Sequence, residues 1–257
     1  MNKLSVVIIT FNEERNIGRC IDSVLPVADE VLVLDSHSTD KTCAIAVAKG
    51  ARVLQQPFAG YIEQKNNALA LAQNDLVLSL DADEALDERL QQSILSAKKN
   101  KMAAGYTMNR CTYYCGRFIR HGAWYPDRKL RLFSRQLAQW GGTNPHDKVE
   151  FHSPQTSIHL AGDILHYSYY TMEEHITQNN KFSTIAAESY FSRGKKTSLF
   201  RIWFNPCWAF FSGFILRGGF LDGFYGYVIA RNVAHLTFMK HSKLYLLQRK
   251  VTNGKNE

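Results

Sequence analysis

The strongest constraint on the fold is a rhythm in the first hundred residues, where short apolar runs alternate with segments of helical spacing. Leu4 to Ile9 reads as a buried strand, and Ile17, Cys20, Ile21, Val24 and Leu25 then recur at the interval of a helix. Val31 to Leu34 is a second strand. Lys41 to Lys49 is a second helix, with Thr39 and Asp40 as N-cap residues and Gly50 as its C-cap. A strand at Arg52 to Leu54, a helix near Ile62 to Ala72 and a strand at Leu76 to Leu80 follow. That order predicts an α/β fold with a parallel sheet covered by helices on both faces.

Sheets of this kind bind ligands beyond the carboxyl ends of their strands, in the crevice where strand order reverses. The residues just past the strands are Thr10, Phe11, Asn12 and Glu13, then Asp35, Ser36 and Ser38, then Asp81, Ala82 and Asp83. Two carboxylates around a small residue, as in Asp81-Ala82-Asp83, can hold a divalent ion against a diphosphate, because Mg²⁺ and Mn²⁺ take hard oxygen ligands and share their shell with phosphate. The plain alternative is a solvated turn that caps the helix after Asp87. In Asp35-Ser36-His37-Ser38-Thr39-Asp40, Thr39 or Asp40 serves the helix and Asp35 is left free to accept hydrogen bonds from a base or ribose.

From about Ala103 the pattern turns to short stranded pieces, Gly105 to Asn109, Tyr113 to Ile119 and Lys129 to Phe133, which predicts a mixed sheet in the second half. Lys129 and Arg131 fall on one face of such a strand. With Arg128 they are placed to hold a diphosphate or an anionic acceptor, or to form a solvated basic edge. Trp124 and Tyr125 read as a sugar-stacking pair or as core.

These segments carry a resemblance. Ser5-Val6-Val7-Ile8-Ile9-Thr10-Phe11-Asn12-Glu13-Glu14, Val33-Leu34-Asp35-Ser36-His37-Ser38-Thr39-Asp40-Lys41-Thr42, Gln64-Lys65-Asn66-Asn67-Ala68 and Leu80-Asp81-Ala82-Asp83-Glu84 resemble, in order and spacing, the family 2 glycosyltransferases of GT-A fold. Trp124-Tyr125-Pro126-Asp127-Arg128-Lys129, Asn144-Pro145-His146-Asp147-Lys148 and Gly218-Gly219-Phe220-Leu221-Asp222-Gly223 look like the bacterial subgroup that includes lipopolysaccharide core glucosyltransferases.

The resemblance implies a Rossmann-like nucleotide-diphospho-sugar transferase fold with a mixed central sheet, and an inverting transfer assisted by Mg²⁺ or Mn²⁺. The donor it implies is a UDP-hexose such as UDP-glucose, and the acceptor a lipopolysaccharide core, glycolipid or other envelope glycan. Thr10, Phe11, Asn12, Glu13, Asp35, Lys65, Ala82 and Arg128 are then expected around the nucleotide sugar. Asp83 is expected to lead metal binding, with Asp81 beside the metal or ribose and His166 completing the shell. Asp147, standing where the subgroup leads one to expect Glu, is the expected base, the alternative being a surface pair with Lys148 or Arg128.

The catalytic domain is expected over 1–170, as a nucleotide-sugar half, 1–100, and an acceptor half, 101–170. A helical appendage at 171–257 would associate with a membrane or form a homo-oligomer. Of the formal charge of +8, the excess lies in this last part, where Asp222 is the one acid between Glu188 and Glu257. Ile202 to Leu216 is aromatic but short of the ~20 apolar residues of a spanning helix, so an interfacial helix on anionic lipid, or a hairpin packed on protein, is the reading. No charged-then-apolar leader opens the sequence and the five cysteines form no CxxC pair, so a cytoplasmic enzyme on the inner face of the membrane is expected.

Other classes fit less well. A nucleotidyltransferase would place a Gly-rich basic loop where Thr10-Phe11-Asn12-Glu13-Glu14 stands. A nucleic-acid-binding module would explain the charge but not carboxylates gathered at strand ends. A membrane scaffold without catalysis is opposed by the presence of Asp81, Asp83 and Asp147.

Overall fold

The computed structural model describes residues 2–100, 103–143 and 146–253. The chain forms two compact units, one of residues 1–111 and 127–167, the other of residues 112–126 and 168–257.

In the first unit, β1 (Leu4–Thr10), β2 (Glu30–Asp35), β3 (Arg52–Gln55) and β4 (Leu76–Asp81) are parallel, with α1 (Ile17–Val24), α2 (Thr42–Ala48) and α3 (Tyr61–Leu71) as crossovers. A short β5 (Glu84–Leu86) and α4 (Glu88–Lys99) follow. Then come β6 (Gly105–Tyr114), β7 (Arg117–Phe118), β8 (Asp127–Ser134), β9 (Ala138–Thr143), β10 (His146–Phe151) and β11 (Ser157–Tyr169). Strand order is β3-β2-β1-β4-β8-β6-β11-β5, with β7 on β6, while β9 and β10 form a separate antiparallel pair. β8 runs antiparallel to β4 and β6, so the sheet is mixed. Tyr113 to Ile119 is a hairpin and not the single strand expected. Cys115 (φ 47°) and Gly116 (φ 99°) turn the chain between β6 and β7, a left-handed pair that local β-propensity does not register.

Both faces of the parallel strands are covered, which is why they read as unbroken apolar runs. Leu4, Val6 and Ile8 pack with Ile17, Ile21, Leu90 and Ile94 on one face, and Val7, Leu32 and Leu34 with Ala68, Leu69, Phe133 and Trp140 on the other. Each fully buried Leu or Ile contributes about 1.5–3 kcal/mol. Order reverses between β1 and β4, and the registers set Thr10 beside Asp35 and Ile9 beside Asp81. The polar strand ends therefore lie in one row.

The second unit is built on α5 (Met172–Ser192), α6 (Leu199–Phe211) and α7 (Gly223–Asn253). Thr171 and Glu174 form a capping box that starts α5. Tyr114, Trp124, Tyr169 and His175 pack ring against ring, so Trp124 is core. His175, bonded to Tyr114 and Asn179, is pushed down to about 4 by burial and stays a neutral imidazole. Between α6 and α7, a π-helical turn (Ser212–Leu216) and a 3-10 turn (Gly219–Asp222) bring backbone against backbone. A methyl group on Gly219 would stand 2.7 Å from the Gly213 carbonyl oxygen, and one on Gly226 would overlap the Gly219 carbonyl. Asp222 is buried and accepts from the Arg120 and His121 amides at 3.1 and 2.8 Å.

Gly226→Ala is expected to lower the unfolding free energy in urea by roughly 3 kcal/mol, because the obstacle is backbone that cannot rotate away. Gly194→Ala, whose added methyl meets open space, is expected to cost about 1 kcal/mol through its φ of 66° alone.

Candidate active site

The loops after β1 and β2 are zipped together by the polar residues that follow each strand. Asn12 Oδ1 accepts from the Thr39 amide at 2.9 Å, and the Asn12 amide donates to Ser38 Oγ at 2.8 Å. The Glu13 amide donates to Thr42 Oγ1 at 2.8 Å, and Glu14 Oε2 accepts from the Lys41 amide at 3.1 Å. Asp40 accepts from the Thr42 amide at 2.9 Å, so it is Asp40 rather than Thr39 that serves the start of α2. Asn12 is thus spent on holding a loop. Asp35 is not the free acceptor that its position suggested. It is fully buried, and its carboxylate takes bonds from the Ser38 amide and hydroxyl and from Gln55 Nε2. Those bonds hold it below the usual carboxylate range against the opposing effect of burial.

A cavity of about 570 Å³ opens at the ends of β1 and β4. Of the residues expected at the site, Thr10, Phe11, Glu13, Asp81, Ala82, Asp83 and His166 line it together. Ser36, one of the residues past the second strand, also lines it, and Ile9, Phe58, Tyr61 and Gln64 complete the wall and were missed. Gln64 had a signal, since it lies four residues before Ala68 on the buried face of α3, and its amide donates to Ser36 Oγ at 3.0 Å. Phe58 and Tyr61 meet edge to face at 5.1 Å and, with exposed Phe11, give the cavity an aromatic margin.

The acidic motif divides its carboxylates among three directions. Asp81 faces Lys65 Nζ at 3.1 Å and Arg131 Nη2 at 3.4 Å. Burial opposes its charge, but those two cations hold its carboxyl far below the usual range. Glu84, fully buried, pairs with Arg131 at 3.0 Å, and Glu84 and Asp81 together push the Arg131 guanidinium up against its own burial. Asp83 Oδ2 lies 3.1 Å from His166 Nε2, because β11 pairs His166 with Glu84 and the Tyr167 amide donates to the Asp83 carbonyl. None of these residues caps the following helix; Asp87 does, accepting from the Leu90 amide at 2.7 Å.

Lys65 also donates to Asp147 Oδ2 at 2.7 Å and lies over the Trp140 ring at 4.2 Å. Asp147 therefore pairs inward, while Lys148 pairs with Glu150. Neither Lys65 nor Asp147 lines the cavity, although Lys65 joins Asp147 to Asp81, which does. Arg128 is exposed and not part of the wall. The strand alternation that turns it outward brings Arg131 in. Asn144 and Pro145 fall outside the described residues, as does the side chain of His146.

Among the described residues no group of three His, Cys, Asp or Glu side chains is gathered for a metal ion. Asp83 and His166 do fit two neighbouring positions of an octahedral ion, which at bonds of about 2.0–2.1 Å lie about 3 Å apart. Burial raises the Glu13 carboxyl despite its bond from Asn16, and the charge of Asp83 raises it further.

Asp81→Asn is expected to cost about 1–3 kcal/mol of stability at neutral pH, since Lys65 and Arg131 each lose a carboxylate. The unfolded carboxyl titrates near 3.9 and the folded one far below, so the contribution is full above that pH and fades as pH falls beneath it. Urea unfolding at pH 7 and pH 3 checks this: the gap between wild type and variant is smaller at the lower pH, by about 1 kcal/mol, because the unfolded carboxyl is protonated there and the folded one is not. Asp83→Asn is expected to change stability by less than about 1 kcal/mol.

A sequence model described as Glycosyl transferase family 2 matches residues 5–154. An uncharacterized glycosyltransferase of Rickettsia felis is 36% identical over 262 residues, covering 95% of this chain and 90% of the relative. The lipopolysaccharide core biosynthesis glycosyltransferase LpsC of Rhizobium meliloti is 29% identical over 252 residues, covering 94% and 92%. Among solved structures, the mannosyltransferase PcManGT of Pyrobaculum calidifontis, in complex with GDP-Man and Mn²⁺, is similar in fold at a TM-score of 0.57 and 13% identity, over 94% of this chain and 86% of that one. With its GT-A fold and its acidic cavity at the strand-order reversal, this chain belongs to glycosyl transferase family 2 and is a glycosyltransferase.

Proposed function

We propose that the enzyme transfers a hexose from a UDP-linked donor to a lipopolysaccharide core or related envelope glycolipid, with inversion. The observation that carries the reading is the cavity at the ends of β1 and β4, with Asp81 and Asp83 in its wall. Likeness to LpsC over nearly the whole chain supports the acceptor class. The acceptor would be met in the cytoplasm at the inner face of the membrane, in keeping with five cysteines that form no disulfide.

The aromatic margin of Phe11, Phe58 and Tyr61 suits a base, which offers a flat apolar face. Thr10 Oγ1 is buried with no hydrogen-bond partner among the described residues, a donor and acceptor available to a polar group of the nucleoside. Asp83 and His166 would hold the divalent ion, with Glu13 close by. When bound, that ion neutralises the charge developing on the departing diphosphate.

Inversion by direct displacement requires the acceptor hydroxyl to lose its proton as it attacks, and Asp147 is the carboxylate assigned to take it. Lys65 grips one oxygen of Asp147 and fixes where the other can reach. Because Lys65 is buried and already shared between Asp147 and Asp81, its part is to position the base rather than to hold the donor.

Thermal unfolding with UDP-, GDP-, dTDP- and CMP-linked sugars, each with and without Mn²⁺ or Mg²⁺, tests the donor site. The expected result is a metal-dependent rise with UDP-hexoses that Asp83→Asn abolishes. A rise confined to another nucleotide would reassign the donor, and no rise with any would remove the reading. Asp147→Asn is expected to keep the rise and lower transfer by about 100- to 10 000-fold.

A further inference from the structure

Helix α6 and the turns after it present apolar side chains outward on a scale that a water-facing surface does not need. No residue of α6 is buried, and Phe200, Trp203, Phe204, Trp208, Phe211 and Ile215 form a stripe of exposed side chains, Trp203 at 69%. Leu216, Phe220, Leu221 and Phe224 carry the surface on through the turns to the start of α7. Single exposed apolar residues are ordinary, but a contiguous patch of this kind marks an interaction surface.

The charges around the patch identify what covers it. Arg193, Lys195, Lys196 and Arg201 are exposed at the amino end of α6, and Arg217 is exposed at the far end. Residues 189–253 hold ten Lys and Arg and a single carboxylate, Asp222, which is buried on the Arg120 and His121 amides. Nothing acidic in this stretch offsets the rim. A second copy meeting the first through the same face would bring cations against cations, which costs affinity. An anionic bilayer supplies both the apolar interior and the opposite charge.

Leu199–Leu216 is 18 residues long, has a mean hydropathy of 1.2 and is 6% buried, so by length and composition alone it is apolar enough to cross a membrane. Its attachment argues against crossing. His241 of α7 meets Asn205 at 3.0 Å and Thr197 at 3.0 Å, so α6 is strapped along α7. Crossing would drag exposed Arg231 and His235 of α7 toward hydrocarbon, at a cost of several kcal/mol for the arginine at the bilayer centre.

We infer that the α6 stripe and the turns after it are a monotopic membrane seat, lying in the plane of an anionic lipid surface with Arg201 and Arg217 at headgroup level. The inference is independent of the donor and the transfer chemistry, so each can fail without the other.

Flotation of the purified full-length protein with vesicles of phosphatidylcholine, with and without phosphatidylglycerol, tests it. Wild type is expected to float with the anionic vesicles and to be released by high salt. The double variant Trp203→Glu, Phe224→Glu, and separately Arg201→Glu, Arg217→Glu, should each lose at least about tenfold in binding. A cooperative thermal unfolding transition and the far-ultraviolet circular dichroism of the wild type should be retained in both, which shows that they fold. Unchanged flotation of the aromatic double variant, equal flotation with neutral vesicles, or retention in the bilayer through high salt and alkaline washing would overturn the inference. A wild-type dimer that ignores vesicles and dissociates in the aromatic variant would also overturn it, and would give the face to a second copy.

Discussion

Asp81 ends a strand whose other residues are apolar, and it keeps its charge there because Lys65 and Arg131 reach it from α3 and β8. The same two cations take Asp147 from β10 and Glu84 from β5, and both lie against the Trp140 ring from β9. Six elements therefore meet on one group of charges. Removing such charges from water costs as much as their pairing returns, so the network adds little net stability. What it supplies is position. Once the Asp81 charge is answered by Lys65 and Arg131, Asp83, which faces His166, and Glu13 remain as the other carboxylates in the wall of the cavity.

That network explains which features of the site were legible in the sequence. Backbone-level features were: the parallel strands, their polar ends, the αL glycine after α2 and the acidic motif all follow from local patterns. Partner choice was not. Arg128 and Arg131 look alike in sequence, and only the pairing of β8 with β4, in a contact fifty residues apart, turns Arg131 toward Asp81. Asn12 and Asp35 look like ligand groups because they are polar and follow strands, yet Asn12 is bonded to the loop after β2, and Asp35 to Ser38 of its own loop and to Gln55 of β3.

The motif Gln64-Lys65-Asn66 shows the limit most clearly. The buried face of α3 is Gln64, Lys65, Ala68 and Leu69, a helical interval in which half the members are polar. Hydrophobic periodicity cannot mark such a face. Each residue of the motif has a defined partner: Gln64 on Ser36, Lys65 on Asp147 and Asp81, and Asn66, beside the buried face, on both backbone groups of Trp140 at 2.9 Å. The motif is a set of tethers from one helix to one loop and three strands.

The second unit inverts the usual arrangement of a helix pair. Where α6 approaches α7 it offers Asn205, Ala209 and Gly213, and Gly219 and Gly226 let the turns close on α7 with backbone in contact. Most of its large side chains point the other way, although Phe210 meets Tyr227 of α7 ring to ring at 6.0 Å. In water a helix places Trp and Phe on its partner and small or charged residues outside, because that is where burial is gained. Small residues inside and large apolar ones outside are the arrangement favoured where lipid rather than water is the surrounding solvent. Asp222 completes the logic: the one carboxylate of residues 189–253 is spent inside the fold, leaving only basic charge from that stretch beside the apolar stripe.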